Sequence, residues 1–456
     1  MSADEWMVAL VWSGMFCPVA LVAVMALTAA AGRRLPEGVV GALTGIAMGL
    51  ATVLFGLALG HRLSSPTTAV FLHFGDWFSA GDGAFTVRLL ADEMSLSFAA
   101  GTCLACGTVA AFSRRYLHLE PGYHRYFTLF AVFATGMLLV VLAGSVEVLF
   151  AGWELLGLSS ALLVGFFHER AAPVENAMRV FIVYRVSDAA MLAAAVLAHH
   201  VMGEGGLMRA LAADGSAELA NLSGASVTAI ASLLVLAAAG KCAQLPVSGW
   251  LPRAMEGPTP SSAVYYGALS VHAGAYLLLR AAPILDAAPL VRAAVVVMGG
   301  TTALYATLVG RVQSDVKSAL AFASLTQVSL ILVEIGLGMH GLAAVHIVGH
   351  ACLRTLQFLR APSVLHDHHL AESALGGHLG RTGTHLERVL PSGARAWLYR
   401  FALERAYVDA WTERYLVAPV LRLAGCLDRL ERRLCDRIGG ETTAPERPAP
   451  RERGDG

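Results

Sequence analysis

The stretch from Leu233 to Pro252, LLVLAAAGKCAQLPVSGWLP, places a lysine inside a long apolar run. A charged side chain at the centre of a bilayer costs about 2.5–3.5 kcal/mol, so such residues are rare in membrane helices and often mark ion paths. Gly240 and Pro246, which lie on either side of Lys241, both weaken a helix. Broken membrane helices expose backbone groups that line a cavity. The stretch therefore predicts a membrane helix that is broken at a functional site.

The rest of the chain has the composition of a membrane protein. Of its 456 residues, 56% are hydrophobic and only 14% are charged, whereas a soluble domain carries about 25% charged residues. A membrane helix needs about 20 apolar residues. The stretches that satisfy this, numbered 1 to 11 in chain order, are 7–31, 36–60, 90–112, 126–143, 145–167, 177–200, 227–250, 261–282, 289–310, 318–338 and 341–364. The sequence therefore predicts an all-α membrane protein with about 11 transmembrane helices, of which helix 7 is broken.

Polar segments divide the chain into four predicted parts. Residues 1–89 contain helices 1 and 2 and a surface loop, and the segment 61–89 has the alternating pattern and glycine turns of a small hairpin. Residues 90–365 form the transmembrane core. Residues 366–440 have the periodicity of an amphipathic helical region on the cytoplasmic side. Residues 441–456 have the composition of a disordered tail.

The distribution of arginine and lysine predicts the orientation. These residues collect in the loops after the odd-numbered helices and are scarce after the even-numbered ones. Because cytoplasmic loops carry the excess of positive charge, we expect the N-terminus outside and the C-terminus in the cytoplasm. The run 7–31 is followed by Arg33 and Arg34 and is expected to be a retained first helix. We therefore expect a multi-pass protein of the bacterial inner membrane.

Charged residues stand inside three consecutive predicted helices. Glu154 lies midway through helix 5, and Lys241, one of only two lysines in the chain, lies in helix 7. A buried lysine can lose its proton near neutral pH, whereas an arginine cannot. Arg185 and Asp188 in helix 6 are three residues apart and can pair on one helix face. These residues predict a proton path, and the alternatives are a carboxyl bonded to a neighbouring helix and a purely structural ion pair.

A second group lies on predicted helix 11. His346, His350 and Arg354 follow one another at intervals of four residues and share one helix face. Histidine titrates near neutrality, so this stripe suits a proton relay. A metal or haem site and polar packing between helices are the alternatives. His272 on helix 8 and Glu334 on helix 10 are lesser candidates, for which helix packing is the competing interpretation.

The sequence has no Walker motif, no dinucleotide-binding fingerprint and no nucleophile elbow. We therefore predict no catalytic chemistry, no cofactor and no metal in this chain, and leave open whether it serves a larger enzyme complex. The seven cysteines lie mostly in apolar runs and are interpreted as small core residues. The formal net charge of zero gives no indication of a nucleic-acid partner.

Several long segments resemble one family of membrane proteins. They are GWELLGLSSALLVGF (152–166), YRVSDAAMLAA (184–194), GKCAQLPVSGWLPRAMEGPTPSSAVYYGALSVHAGAYLLLR (240–280), SDVKSALAFASLTQVS (314–329) and HIVGHACLRTLQFL (346–359). These segments are similar to the antiporter-like proton-translocating subunits, which include subunit L of bacterial complex I and the large subunits of multisubunit Na⁺/H⁺ antiporters. The resemblance covers residues 75–365. It implies a proton-conducting membrane subunit of a multisubunit complex, with a membrane subunit of an NADH-quinone oxidoreductase, a Na⁺/H⁺ antiporter subunit or a non-conducting scaffold as alternatives.

The resemblance also implies roles for individual residues. Glu154 and Lys241 match the glutamate and lysine that form the inlet half of the family's proton channel. The residues that match the other members of that path are Arg185 and Asp188 on helix 6 and His346 and His350 on helix 11.

The chain departs from the family pattern in three places. Tyr266 stands where many members carry a histidine, and Arg354 stands where they carry a central lysine. Arginine stays charged, so it can set the local field but hardly relay a proton. After predicted helix 11 the chain passes directly into 371–390, where the family has a broken helix with an exit lysine. In these respects the chain resembles the shortened membrane subunit of inorganic-carbon accumulation systems. That likeness implies a role in powering CO₂ or bicarbonate uptake with a large soluble zinc-containing, carbonic-anhydrase-like partner, and redox or antiporter subunits are the alternative partners.

Overall fold

The computed structural model of the chain describes residues 3–64, 70–80, 83–203, 205–212, 216–220, 222–375 and 391–439. The predicted tail at 441–456 lies outside these residues. The described residues belong to two compact units, which divide between Asp409 and Ala410.

Helices make up most of both units. In chain order the first are α1 (Ala3–Ala30), α2 (Glu37–Ser64), α3 (Glu93–Tyr116), α4 (Tyr123–Val141), α5 (Val146–Val164), α6 (Ala171–Met202), α7 (Gly206–Ala210), α8 (Ser216–Leu219) and α9 (Gly224–Lys241). The others are α10 (Trp250–Arg253), α11 (Thr259–Ser261), α12 (Ser270–Arg280), α13 (Ala282–Asp286), α14 (Pro289–Gly310), α15 (Val316–Gly336), α16 (His340–Leu375), α17 (Ser392–Leu403), α18 (Val408–Thr412) and α19 (Ala418–Gly439). Within the described residues, ten helices are long and apolar enough to cross a membrane, namely α1 to α6, α9, α14, α15 and α16. The predicted all-α membrane fold is confirmed.

The difference between ten helices and the eleven predicted spans arises at residues 261–282. In place of one long helix, the structure has the short α11, a π-helical segment at Ser262–Ala268, and α12. Leu269 stands between the last two with a φ of −120°. A π-helical turn holds more residues than an α-helical turn, so the faces before and after it are rotated relative to each other. Hydrophobic content alone does not reveal such a change.

The helix in the predicted span 227–250 also ends before the span does. The helix α9 stops at Lys241, and helical structure resumes at Trp250. The indole of Trp250 donates a hydrogen bond to the carbonyl of Gly240 (3.0 Å), and the side-chain amide of Gln244 donates one to the carbonyl of Cys242 (2.8 Å). These bonds satisfy carbonyls that have no partner within the helix. Lys241 is therefore the last residue of a helix that ends inside the protein.

The predicted hairpin within 61–89 is confirmed. Strands β1 (Val70–Ala80) and β2 (Gly83–Ala91) pair in antiparallel fashion, with Phe71 opposite Leu90. The amide of Leu90 donates to the carbonyl of Leu142 at the end of α4 (2.8 Å), which fixes the hairpin to the helical core. Its place on the membrane surface stays a prediction.

The described residues of the C-terminal part are mostly helical. The helix α16 continues to Leu375, past the predicted domain boundary at residue 365. In the second unit, α19 leaves a row of leucines exposed at helical spacing, namely Leu423, Leu427, Leu430 and Leu434. This is the pattern of an amphipathic helix. The position of this region on the cytoplasmic side stays a prediction.

A buried ion pair fixes the start of α3 to the end of α12. Arg280 donates to both carboxylate oxygens of Asp92 (2.5 and 2.7 Å) and to the hydroxyl of Tyr276 (3.0 Å). Burial raises the pKa of the Asp92 carboxyl, but the hydrogen bonds and the positive charge of Arg280 outweigh that effect and hold the pKa below its usual range. The bidentate geometry of this pair is the strong form of an ion pair.

We expect Arg280→Met to destabilise the protein. It leaves the Asp92 carboxylate buried without its partner, and breaking a buried pair from one side costs about 3–5 kcal/mol. The control is Arg292→Met, because Arg292 pairs with Asp286 at an exposed site, where an ion pair contributes about 0–1 kcal/mol. Thermal unfolding of the detergent-solubilised protein should show a lower midpoint for Arg280→Met than for the control. Equal midpoints would contradict a structural role for this pair.

Candidate functional site

Lys241 is completely buried at the end of α9. Its ammonium group donates to the carbonyl of Trp153 (3.2 Å) and lies 3.6 Å from a carboxylate oxygen of Asp188. It also stands over the ring of Tyr184, 4.0 Å from the ring centre. A carboxylate, a carbonyl and an aromatic face together replace the water that a buried ammonium group loses.

The charged residues predicted on three separate helices form one continuous series of ion pairs. Arg185 donates to the other oxygen of Asp188 (2.7 Å) and forms an ion pair with Glu154. The order Glu154, Arg185, Asp188, Lys241 alternates in sign, so the set is neutral when every member is charged. The exposed fraction of the side chain falls from 26% for Glu154 and 35% for Arg185 to 3% for Asp188 and 0% for Lys241. The series of ion pairs therefore runs from the partly exposed carboxylate of Glu154 to the fully buried ammonium group of Lys241.

Two glycines make room for this arrangement. A Cβ atom at Gly157 would lie 2.6 Å from the nitrogen of Lys241, and a Cβ atom at Gly240 would lie 2.3 Å from the Cβ of Ser187 on α6. Gly240 was named from the sequence as a helix breaker, and the structure gives it a packing role as well. Gly157 was missed, although its place one turn after Glu154 on the same helix face was a usable signal.

A second cluster joins α12 and α16. The ring nitrogens His272 Nε2 and His350 Nδ1 are 2.9 Å apart, and Arg354 Nε donates to His350 Nε2 (3.1 Å). His272 Nδ1 lies 2.6 Å from the carbonyl of Ala268. Arginine is always a donor and a carbonyl always an acceptor, so each ring carries its proton on Nδ1 and both are neutral. His272, a lesser candidate from the sequence, is therefore a full member of this cluster.

His346 belongs to a different pair. The sequence predicts His346 and His350 as successive members of one relay, and their ring centres are 6.3 Å apart. The hydrogen bonds of His346, however, go to α15, where its Nδ1 lies 2.8 Å from Glu334 Oε1 and its Nε2 lies 3.0 Å from Gln327 Oε1. Glu334, the other lesser candidate, is thus the direct partner of His346, and Gln327 is a partner that the sequence analysis did not single out.

The π-helical segment Ser262–Ala268 is placed between these clusters. The ring of Tyr266 packs against Trp250, which packs in turn against Tyr184 beside Lys241. The hydroxyl of Tyr266 is buried and makes no hydrogen bond to the described part of the protein. A buried hydroxyl without a protein partner is costly, so this position favours a bridging water. Tyr266 is therefore one of the buried hydroxyl groups between the lysine and histidine clusters that have no partner in the described part, together with Tyr184 and Ser270.

No group of three or more histidine, cysteine, aspartate or glutamate side chains is arranged to hold a metal ion among the described residues. The cysteines of the described part are free thiols, of which Cys103, Cys106 and Cys242 are buried. The interpretation of all seven as core residues is wrong for Cys352, Cys426 and Cys435, which are exposed. What the clusters offer chemically is a series of groups that exchange protons.

Two family models match the chain. Residues 143–379 match the model described as NADH:quinone oxidoreductase/Mrp antiporter, TM, and residues 77–127 match the model of the N-terminus of complex I chain 5. The first match includes all the candidate site residues.

Curated relatives carry the same resemblance. NADH-quinone oxidoreductase subunit L of Mycobacterium tuberculosis is 33% identical over 295 residues, which are 64% of this chain and 46% of that protein. NADH-ubiquinone oxidoreductase chain 5 of Schizophyllum commune is 33% identical over 303 residues, which are 65% of this chain and 42% of that protein. The chain thus spans about half the length of the curated relatives it matches.

Solved structures share the fold. A chain of the Mrp complex from Dietzia sp. DQ12-45-1b aligns with a TM-score of 0.62 at 24% identity, over 84% of this chain and 40% of that one. A chain of an archaeal membrane-bound sulfane sulfur reductase aligns with a TM-score of 0.64 at 18% identity, over 90% and 87%. Because the first family model matches more than half of its residues, this multi-pass membrane protein belongs to the NADH:quinone oxidoreductase/Mrp antiporter transmembrane family.

Proposed function

We propose that this chain conducts protons across the membrane as one subunit of a multisubunit complex, without a cofactor of its own. The observation that carries the proposal is the sealed Lys241 ammonium group, joined through Asp188 and Arg185 to the accessible Glu154. A buried charge of this kind is expensive and marks an ion path. Two positively charged groups, Arg185 and Lys241, follow Glu154 and would repel a Na⁺ ion, which favours a proton.

The ion pairs provide a way to move the proton. When Glu154 takes up a proton it loses its negative charge, and Arg185 is then held by Asp188 alone. The positive charge of Arg185 draws Asp188 away from Lys241, and the ammonium group loses part of its stabilising field. The Lys241 proton then leaves toward the histidine cluster. Arg185 stays protonated throughout, so it acts by its position and not as a carrier.

The histidine pair continues the path. His272 and His350 share one hydrogen bond, and His350 can pass its Nδ1 proton to His272 Nε2 when its own Nε2 takes up another proton in place of the Arg354 hydrogen bond. His346 follows on the same helix as His350 and leads to Glu334. Arg354 supplies a fixed positive charge beside His350 and does not itself carry the transferred proton.

We further propose that proton flow through this chain powers inorganic-carbon uptake by a large soluble zinc-containing partner on the cytoplasmic side. The support is the resemblance of the sequence to the shortened subunits of such systems, together with the exposed leucine row of α19. The relatives named NADH-quinone oxidoreductase and Mrp complex favour redox or antiporter subunits as the alternative partners. In this proposal the chain lies in the bacterial inner membrane, with its N-terminus outside and its C-terminus in the cytoplasm.

We expect Lys241→Met to reduce proton flux by about tenfold or more, which corresponds to at least about 1.4 kcal/mol in the barrier. The measurement is potential-driven proton movement in membrane vesicles that contain the complete complex. Arg292→Met at the exposed ion pair is the control for assembly. If Lys241→Met assembles and conducts at the control rate, the chain is a scaffold and the proton-path proposal fails.

We expect Gly157→Ala to lower proton flux without preventing assembly. The added methyl group would lie 2.6 Å from the Lys241 nitrogen, so the ammonium group must move away from Asp188 or Trp153. Gly300→Ala on α14 is the matched control, because nothing lies within 4 Å of a Cβ atom at Gly300. Equal flux in the two variants would show that the position of the ammonium group does not limit conduction.

Purification of the intact complex from native membranes, followed by mass spectrometry, tests the proposed partner. We expect a large soluble zinc protein to co-purify, and cells carrying Lys241→Met should then need elevated CO₂ for growth. Recovery of quinone-reducing or hydrogenase-like subunits instead would contradict the inorganic-carbon proposal and assign the chain to a redox-driven pump.

A further inference from the structure

We propose that Glu334 is the proton-exchanging group at one end of the path and transfers protons to and from His346. The proposal rests on the proton-conducting function proposed above and adds a residue to it. Its starting point is the direct contact of a carboxylate near the C-terminal end of α15 with an imidazole near the N-terminal end of α16.

The hydrogen bonds of His346 fix how its protons are arranged. Gln327 Oε1 can only accept, so His346 Nε2 carries a proton and donates it. The proton on the other side lies between His346 Nδ1 and Glu334 Oε1, which are 2.8 Å apart. It can sit on the ring, giving an imidazolium and a carboxylate, or on the carboxyl, giving two neutral groups. Both states have the same net charge, so neither leaves an unbalanced charge in an apolar setting.

The second carboxylate oxygen has no protein partner. Glu334 Oε2 is buried and makes no hydrogen bond to the described part of the protein, so this position favours a bridging water. The side chains of Glu334 and His346 are 17% and 23% exposed, so the pair is not sealed as Lys241 is. A carboxyl relays a proton by accepting it on one oxygen and releasing the proton held on the other. With Oε1 bonded to the ring and a water at the buried Oε2 to supply or remove a proton, Glu334 is arranged for that exchange.

The position of the pair agrees with an opening at a membrane face. Glu334 stands two residues before the end of α15, whereas Lys317 is the second residue of that helix. At a rise of 1.5 Å per residue, about 26 Å separate these positions, close to the thickness of the hydrocarbon core. His350 lies one turn further along α16 than His346, and its ring bonds to His272. From this face inward the order is therefore Glu334, His346, His350 and His272.

A purely structural pair that fastens α15 to α16 makes a different prediction. It requires a hydrogen bond at residue 334, but no exchangeable proton there. Glu334→Gln keeps the size and a hydrogen-bonding group, and removes the ability to bind and release a proton. The variants Glu334→Asp and Glu334→Asn also differ from each other only in the ability to bind and release a proton, and both side chains are one methylene group shorter than glutamate. These two matched pairs separate proton transfer from packing.

The test is potential-driven proton flux in vesicles that contain the complete complex, with Lys241→Met measured alongside. We expect Glu334→Gln to reduce flux about tenfold, which is about 1.4 kcal/mol in the barrier, with the thermal midpoint of the complex unchanged. Glu334→Asp should conduct well above Glu334→Asn, and this comparison carries the test if Glu334→Gln does not assemble.

The outcomes separate the two proposals. If Lys241→Met abolishes flux while Glu334→Gln conducts like the unmodified chain, the role of Glu334 is overturned and the proton path stands. If Glu334→Asp and Glu334→Asn lose flux equally, the residue acts only in packing. If neither Lys241→Met nor Glu334→Gln changes the flux, the proton path itself is overturned.

Discussion

The burial of one ammonium group governs the structure of this protein. Lys241 has no access to solvent, so every favourable contact that water would give it must come from protein groups. Those groups come from two other helices, with a carbonyl on α5 and a carboxylate on α6. Bringing them within reach requires glycine at position 157 and the end of α9 at Lys241 itself. The break in α9 is thus part of the binding site for the charge, because a continuing helix would carry the chain past the groups that surround it.

The histidine cluster on α16 is built differently from the lysine cluster. The helix α16 packs against the π-helical segment, α12 and α15. Residues four apart on one helix point in nearly the same direction, yet His350 bonds to His272 on α12 and His346 bonds to Glu334 on α15. The stripe on α16 therefore lies at the junction of two neighbouring helices. Each ring is held by its own partner, and the ring centres are 6.3 Å apart, which is the step that a proton would have to cross in the proposed path.

The fold class and most residues of the site could be predicted from the sequence. Which of these residues contact one another could not. Charges inside apolar runs are visible in sequence because the bilayer makes them costly, and so Glu154, Arg185, Asp188 and Lys241 were found. Periodicity gives the face of a helix but not the neighbour that the face meets, so neither the Glu154–Arg185 ion pair nor the partner of His346 followed from spacing. The π-helical segment rotates α12 relative to α11, which no hydropathy pattern records. The position of Gly157 near Glu154 was visible in the sequence, but its contact with the Lys241 ammonium group, which reaches α5 from α9, was not.

The fixed charge of Arg354 sets where a proton can rest. Among the described residues no carboxylate pairs with Arg354, whose hydrogen bonds go to His350 and Gln357. The lysine cluster balances its charges internally, so the field of Arg354 is felt mainly by its neighbour. A second positive charge on His350, in contact with the guanidinium group, is strongly disfavoured in a setting of low dielectric constant. In the proposed path a proton would therefore cross His350 without remaining there, and its stable resting places would be Lys241 on one side and the His346–Glu334 pair on the other. An arginine at this point separates the two ends of the path electrostatically, which a titratable lysine would do only while protonated.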